Sequence, residues 1–186
     1  QLRVMGIVSV QQGKQSTVNP LNSSALEDFF HYAVHTYRNG LIDIMELPRG
    51  IEVETASLAA ARIDAEGVRT LEQIVERMEK GLNSPSAWLA ADYEFHAALA
   101  RLSKNEMILQ VFNGISDAVR YMQRVVHMQR DMRTPSITLQ SHKDIAAAVM
   151  EGDQQRARAA MLYHCSGGLP IIQAIVADES RRRDIF

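Results

Sequence analysis

The stretch Trp88-Leu-Ala-Ala-Asp92-Tyr-Glu-Phe95-His96-Ala-Ala-Leu99-Ala-Arg-Leu102 decides the reading of the whole chain. As a helix turning about 100° per residue, it sets Trp88, Leu89, Phe95, Leu99 and Leu102 on one face. Asp92 and His96, four residues apart, fall in the middle of that face. A carboxylate and an imidazole are thereby directed at a core. There an unpaired charge costs several kcal/mol or is neutralised by a pKa shift. Something must compensate them.

The same oddity recurs further along. His142 sits on a stripe of Thr138, Leu139, Ile145, Ala146 and Val149, and His164 shares its face with Ala160, Met161 and Ile171. Three helices each push a metal-competent side chain out of an apolar face, and the small neighbours Ala146 and Ala160 leave room between them. Asp92, His96, His142 and His164 therefore form a candidate site for a divalent transition metal. Zinc comes first, with nickel, manganese or iron as the others, because imidazole suits such ions and a carboxylate adds charge neutralisation. The alternative is a hydrogen-bonded polar cluster in the core.

Outward from these helices the pattern stays helical. Ser23 or Ser24 caps a helix over about Ala25–Tyr37, and Asn39-Gly40 stops it. A second covers about Leu41–Ile63 with Pro48 as a kink or restart, and a third about Val68–Lys80. Ser84-Pro85 opens the fourth. A fifth runs from Ser103 or Asn105 to about Arg130, a sixth from Pro135 to Met150, and a seventh from Asp153, bent at Gly167-Gly168 and resuming over Ile171–Val176. Residues 1–20 differ. Ile7–Val10 and Ser16–Val18 read as two short strands around a turn at 11–15, before Asn19-Pro20 breaks the chain. The expected fold is all-α, an antiparallel bundle of six or seven helices over residues 21–186, preceded by a β-hairpin over residues 1–20.

Composition narrows the function. The 186 residues are 46% hydrophobic, enough for a real core, and a net charge of −2 argues against bulk polyanion binding. The single cysteine, Cys165, excludes an internal disulfide framework and points to a reducing cytoplasm. No apolar run spans a bilayer and no signal peptide is visible. The chain begins at Gln1, so it is expected to start partway through a longer protein. The metalloprotease HExxH, the GxSxG elbow, the P-loop and GxGxxG are all absent. His31 and His35 read as surface or interface, His127 as a cation near a helix C-terminus, and Cys165 as packing. Arg181-Arg182-Arg183 reads as a solvated tail, and the Met-rich 122–132 segment as core or dimer surface.

Three spaced motifs also resemble a known family. The run Asp92–Ala100 followed by Ser103-Lys-Asn105, the run His142–Asp153 followed by Ala157 and His164, and the early helix Arg49-Gly-Ile-Glu52-Val-Glu-Thr-Ala-Ser-Leu58 lie in the order found in the effector domain of GntR-type transcription regulators. The likeness is to the FadR-type subgroup and its FCD domain, over about residues 24–166. Gly6–Val18 resembles the wing of that family's winged helix-turn-helix, the preceding helices being missing. Gln15 departs from the usual second glycine at the wing tip, and Gly167-Gly168-Leu-Pro170 is an unusual interruption. The resemblance implies that Asp92, His96, His142 and His164 are metal ligands and that Arg49 pairs with the carboxylate of a small organic acid, for which a guanidinium fork is suited. Arg120 and Arg124 are further effector-binding candidates, because their helix could wall the cavity.

The expectation is thus an effector-sensing and dimerising domain of a metabolite-responsive transcription regulator, reaching operator DNA through its missing N-terminal domain. The rival from another class is a metal-dependent hydrolase or lyase acting on a small acid. Against it, no general base lies beside the ligands: Glu94 faces about 200° around the helix from Asp92. A closed, purely structural metal site is the third reading.

Overall fold

The computed structural model describes residues 2–3, 6–36, 40–129 and 134–177. The Arg181–Arg183 run and the side chain of His35 lie outside the described residues. At the front, β1 (Val8–Ser9) pairs antiparallel with β2 (Thr17–Val18), with Val8 opposite Val18 and Ser9 opposite Thr17. Two-residue strands cannot hold a hairpin by themselves. Asn19 reinforces this one, accepting from Ser9 Oγ at 2.6 Å and donating to the Gly6 carbonyl at 2.7 Å.

Everything after it is helical: α1 (Ser24–Thr36), α2 (Gly40–Arg62), α3 (Ala65–Gly81), α4 (Pro85–Leu102), α5 (Glu106–Gly114), α6 (Ser116–Met128), α7 (Pro135–Met150), α8 (Gln154–Ser166) and α9 (Leu169–Ala177). Several boundaries follow from caps. Asp64 accepts from the Gly67 N–H at 2.9 Å, so α3 begins three residues before the expected Val68. Asn105 accepts from the N–H groups of Met107 and Ile108 and starts α5. Pro85, Pro135 and Pro170 each sit in the first turn of a helix, where a missing N–H costs nothing.

The helix count exceeds the expectation for two reasons. The fifth expected helix is divided at Ile115, whose backbone (φ −96°, ψ 3°) leaves the helical region. The turn buries the Ile115 side chain and lets α1 lay Leu26 against Gly114. The bend after His164 separates α8 from α9 at Gly167–Gly168, as the sequence suggested. Pro48, in contrast, does not restart α2, which runs unbroken through it.

The main core lies where α2, α3, α4, α7 and α8 meet. Its largest fully buried members are Leu71, Ile74 and Met78 of α3, Phe95 and Leu99 of α4, Ile145 and Val149 of α7, and Met161 of α8. Burying each such side chain contributes about 1.5–3 kcal/mol. Ala56, Ala59 and Ala60 on α2 face Ala157 on α8, small side chains that let these two helices pack closely. A second cluster of Ala118, Met122 and Val125 on α6 packs against Ile171, Ile172 and Ile175 on α9. The apolar stripes on α4 and α7 bring their polar members inward together.

Candidate metal centre and adjoining cavity

His96 of α4, His142 of α7 and His164 of α8 converge on one point of the core, and Asp92 of α4 lies against His142 at its edge. The three histidines can each offer a ring nitrogen such that the donors lie within 4.8 Å of one another. His142 is completely buried, and His96 and Asp92 nearly so. Phe95 and Trp88 pack edge-on against the His142 ring, at centroid distances of 4.9 and 6.2 Å.

The surroundings set which nitrogen of each ring faces inward. His142 Nδ1 lies 2.8 Å from the Thr138 carbonyl oxygen, so Nδ1–H donates and Nε2 keeps its lone pair. The Ser141 hydroxyl donates to the same carbonyl at 2.8 Å. With its proton so used, Ser141 Oγ accepts from His164 Nδ1 at 3.0 Å, which frees His164 Nε2 for a ligand role. One backbone carbonyl on α7 thereby orients two histidines from different helices.

The sequence pattern assigns no role to Glu52 of α2. Its carboxylate reaches the centre, with Oε1 2.9 Å from His96 Nδ1 and Oε2 accepting from Cys165 Sγ at 3.4 Å. Asp92 Oδ1 likewise lies 2.9 Å from His142 Nε2. Both nitrogens are shut off from solvent, each facing a buried carboxylate oxygen.

These charges are strongly coupled. Burial by itself depresses the pKa of His96, but the Glu52 carboxylate and then Asp92 outweigh it and raise it to about 9. For Asp92 burial works upward, and His142, then His96 and His127, outweigh it and hold the carboxyl below its usual range. Without a metal the cluster is thus held by a protonated imidazole among carboxylates. The donor set also fits a divalent metal: three imidazoles that can each bring a nitrogen within 4.8 Å of the others, with carboxylates beside them for charge.

A cavity of about 130 Å³ opens beside the centre. Trp88, Val119, Met122 and Val126 give it apolar walls, and Arg49, Gln123, His127 and Thr138 bring polar groups to it. Asp92, His96 and His164 form its floor, so a small molecule in the cavity would touch the centre. Arg49 makes no ion pair among the described residues.

Arg120 and Arg124 are placed elsewhere. Arg120 stacks over Tyr93 at 3.7 Å and Arg124 lies 5.9 Å from the Tyr121 ring, both exposed and neither lining the cavity. They occupy the outer face of α6, whereas Val119, Met122, Gln123, Val126 and His127 occupy the inner one. His127, read from sequence as a helix-end cation, is thus a cavity residue, as is Cys165. Gln123 and His127 carried an available signal. They are four apart and share a face with Val119 and Val126.

Similarity to known proteins gives the family. The profile of the FCD domain family matches residues 43–167. The chain is 23% identical over 167 residues to the HTH-type transcriptional regulator LutR of Bacillus subtilis (strain 168), covering 88% of this chain and 76% of that protein. It is 26% identical over 145 residues to the Nta operon transcriptional regulator of Aminobacter aminovorans, covering 77% of this chain and 66% of that protein. Among solved structures, a Streptococcus agalactiae GntR protein superposes with a TM-score of 0.63 at 23% identity, covering 95% of this chain and 77% of that one. These relatives are transcription regulators, not enzymes. The chain belongs to the FCD domain family of GntR-type transcription regulators.

Proposed function

We propose that this chain senses a small organic acid beside a divalent metal held by Asp92, His96, His142 and His164, and dimerises to pass that signal to a DNA-binding domain. The observation that carries the reading is the cavity itself. Its floor is the histidine cluster, its walls are largely apolar, and Arg49, a cation without an ion-pair partner among the described residues, lines it. A carboxylate would meet the guanidinium as a fork and present its remaining atoms to the centre. Zinc suits the nitrogen-rich donor set first, with nickel, manganese and iron as alternatives.

Sensing requires that the acid bind two arrangements of the helices unequally. The cavity is bounded by α2, α4, α6, α7 and the α8–α9 bend, so an occupant touches elements from both apolar clusters. The reading places the protein in the cytoplasm with its operator DNA. Among the described residues no helix is long and apolar enough to cross a membrane.

The test is metal content and thermal unfolding of the wild type, Arg49→Ala, His142→Ala and His164→Ala. About one metal per chain is expected in the wild type and in Arg49→Ala, and loss of it in either histidine variant. Among a panel of small mono-, di- and hydroxycarboxylic acids, at least one should raise the melting temperature of the metal-loaded wild type and lose that effect in Arg49→Ala. Stabilisation by metal but by no carboxylate would instead identify a closed structural site.

A further inference from the structure

We infer that the acid taken by the cavity carries a single carboxylate and, at its other end, an uncharged hydrogen-bonding group that Gln123 reads. This rests on the acid-sensing reading above and narrows the class of acid. Among the described residues that line the cavity, Arg49 is the one arginine or lysine, while Asp92 and Glu52 both bring carboxylates to it. Those two carboxylates offset a divalent ion at the centre, and Arg49 is left to neutralise one further negative charge. A second carboxylate on the ligand would enter beside Asp92 and Glu52 with no permanent cation to meet it. In a partly buried site such like charges repel far more than in water.

The polar groups on the α6 side are of a different kind. Gln123 lies on the inner face of α6, half-buried and one helical turn before His127. Its amide makes no hydrogen bond among the described residues. The other neutral polar side chain away from the centre, Thr138, already donates its hydroxyl proton to the Thr134 carbonyl at 3.4 Å. Gln123 therefore offers the cavity an N–H donor and a carbonyl acceptor together. A hydroxyl both donates and accepts, and so matches the amide. A carboxylate only accepts, and would set its charge against the amide oxygen. A methyl group would cover the amide and leave it without water or partner. Trp88, Val119, Met122 and Val126 supply the apolar wall, which suits an aliphatic chain joining the two ends.

His127 is the group that a second carboxylate would seek, so the dicarboxylate is the competitor to be separated. The charge of His127 is already directed at the centre, where it helps to keep Asp92 ionised.

The experiment titrates the zinc-loaded wild type by calorimetry with three matched sets of probes: propionate, β-hydroxypropionate and malonate; butyrate, γ-hydroxybutyrate and succinate; valerate, δ-hydroxyvalerate and glutarate. In at least one set the hydroxy acid should bind about tenfold more tightly than both its partners. Gln123→Leu should bring that hydroxy acid to the level of the unsubstituted acid, while leaving the unsubstituted acid within about twofold and the zinc content unchanged. A dicarboxylate that binds most tightly in its set, with no set led by the hydroxy acid, overturns the inference and leaves the acid-sensing reading standing. Equal binding of hydroxy and unsubstituted acids in every set does the same, as does a hydroxy-acid preference that survives in Gln123→Leu. Zinc uptake with no acid bound in any set overturns both readings.

Discussion

His96 is where the chemistry of the site meets the stability of the protein. Its pKa in an unfolded chain is 6.5, and in the folded, metal-free protein Glu52 and Asp92 raise it to about 9 against the opposing effect of burial. The folded state therefore binds the proton more tightly. The stabilisation is fully present below about pH 6.5 and is lost as pH rises through about 9. Denaturant unfolding of the metal-free protein between pH 6 and 9.5 should show stability falling across that window, and His96→Gln should flatten the profile. A wild-type profile that is flat there would mean the carboxylates do not hold the proton on His96. A metal requires the neutral imidazole, so loading at neutral pH should also release a proton.

At the scale of elements, packing at the helix junctions ranks substitutions that look alike in sequence. A Cβ added at Gly114 would lie 2.5 Å from the Cβ of Leu26, an atom fixed to the α1 backbone. A Cβ added at Gly67 would come as close, 2.6 Å from Leu102 Cδ2 and 2.7 Å from Ile63 Cδ1, but these are ends of side chains that can turn aside. Gly114→Ala must push α1 from α5 at a cost of about 1–3 kcal/mol, more than the gain in helix propensity of about 1 kcal/mol. Gly67→Ala should cost less. Urea unfolding of the two variants checks the order, and equal or reversed losses would show that α1 yields freely.

The whole molecule sets a limit on what these residues do alone. Reading operator DNA requires a helix or ribbon seated in the major groove with side chains on base edges. Ahead of the bundle stands a hairpin with strands of two residues each, Val8–Ser9 and Thr17–Val18, tied by Asn19. The family resemblance reads that hairpin as a wing, and a wing adds contacts to a site that other helices read. These 186 residues are therefore expected to bind effector and to form dimers, and to show no sequence-selective affinity for operator DNA in a titration against scrambled duplex. Tight, selective binding would refute this.

Much of the centre was legible because helical periodicity is a local property. Asp92, His96, His142 and His164 each interrupt an apolar stripe, and the stripe itself says which way the side chain points. The bundle follows from the same periodicity, and the bend at Gly167–Gly168 from local backbone chemistry. What the chain alone could not decide was which helix packs where. Glu52 lies on a helix whose buried face is set by contact with α8, far along the sequence. The rotation of α6 about its axis, set by packing on α9, turned Gln123 and His127 toward the cavity and Arg120 and Arg124 away. The division at Ile115 depends on Leu26 meeting Gly114 across the fold. Sequence determined the helices and four inward polar side chains. Tertiary packing alone decided what surrounds them, because long-range contacts between helix faces leave no periodic trace in either partner.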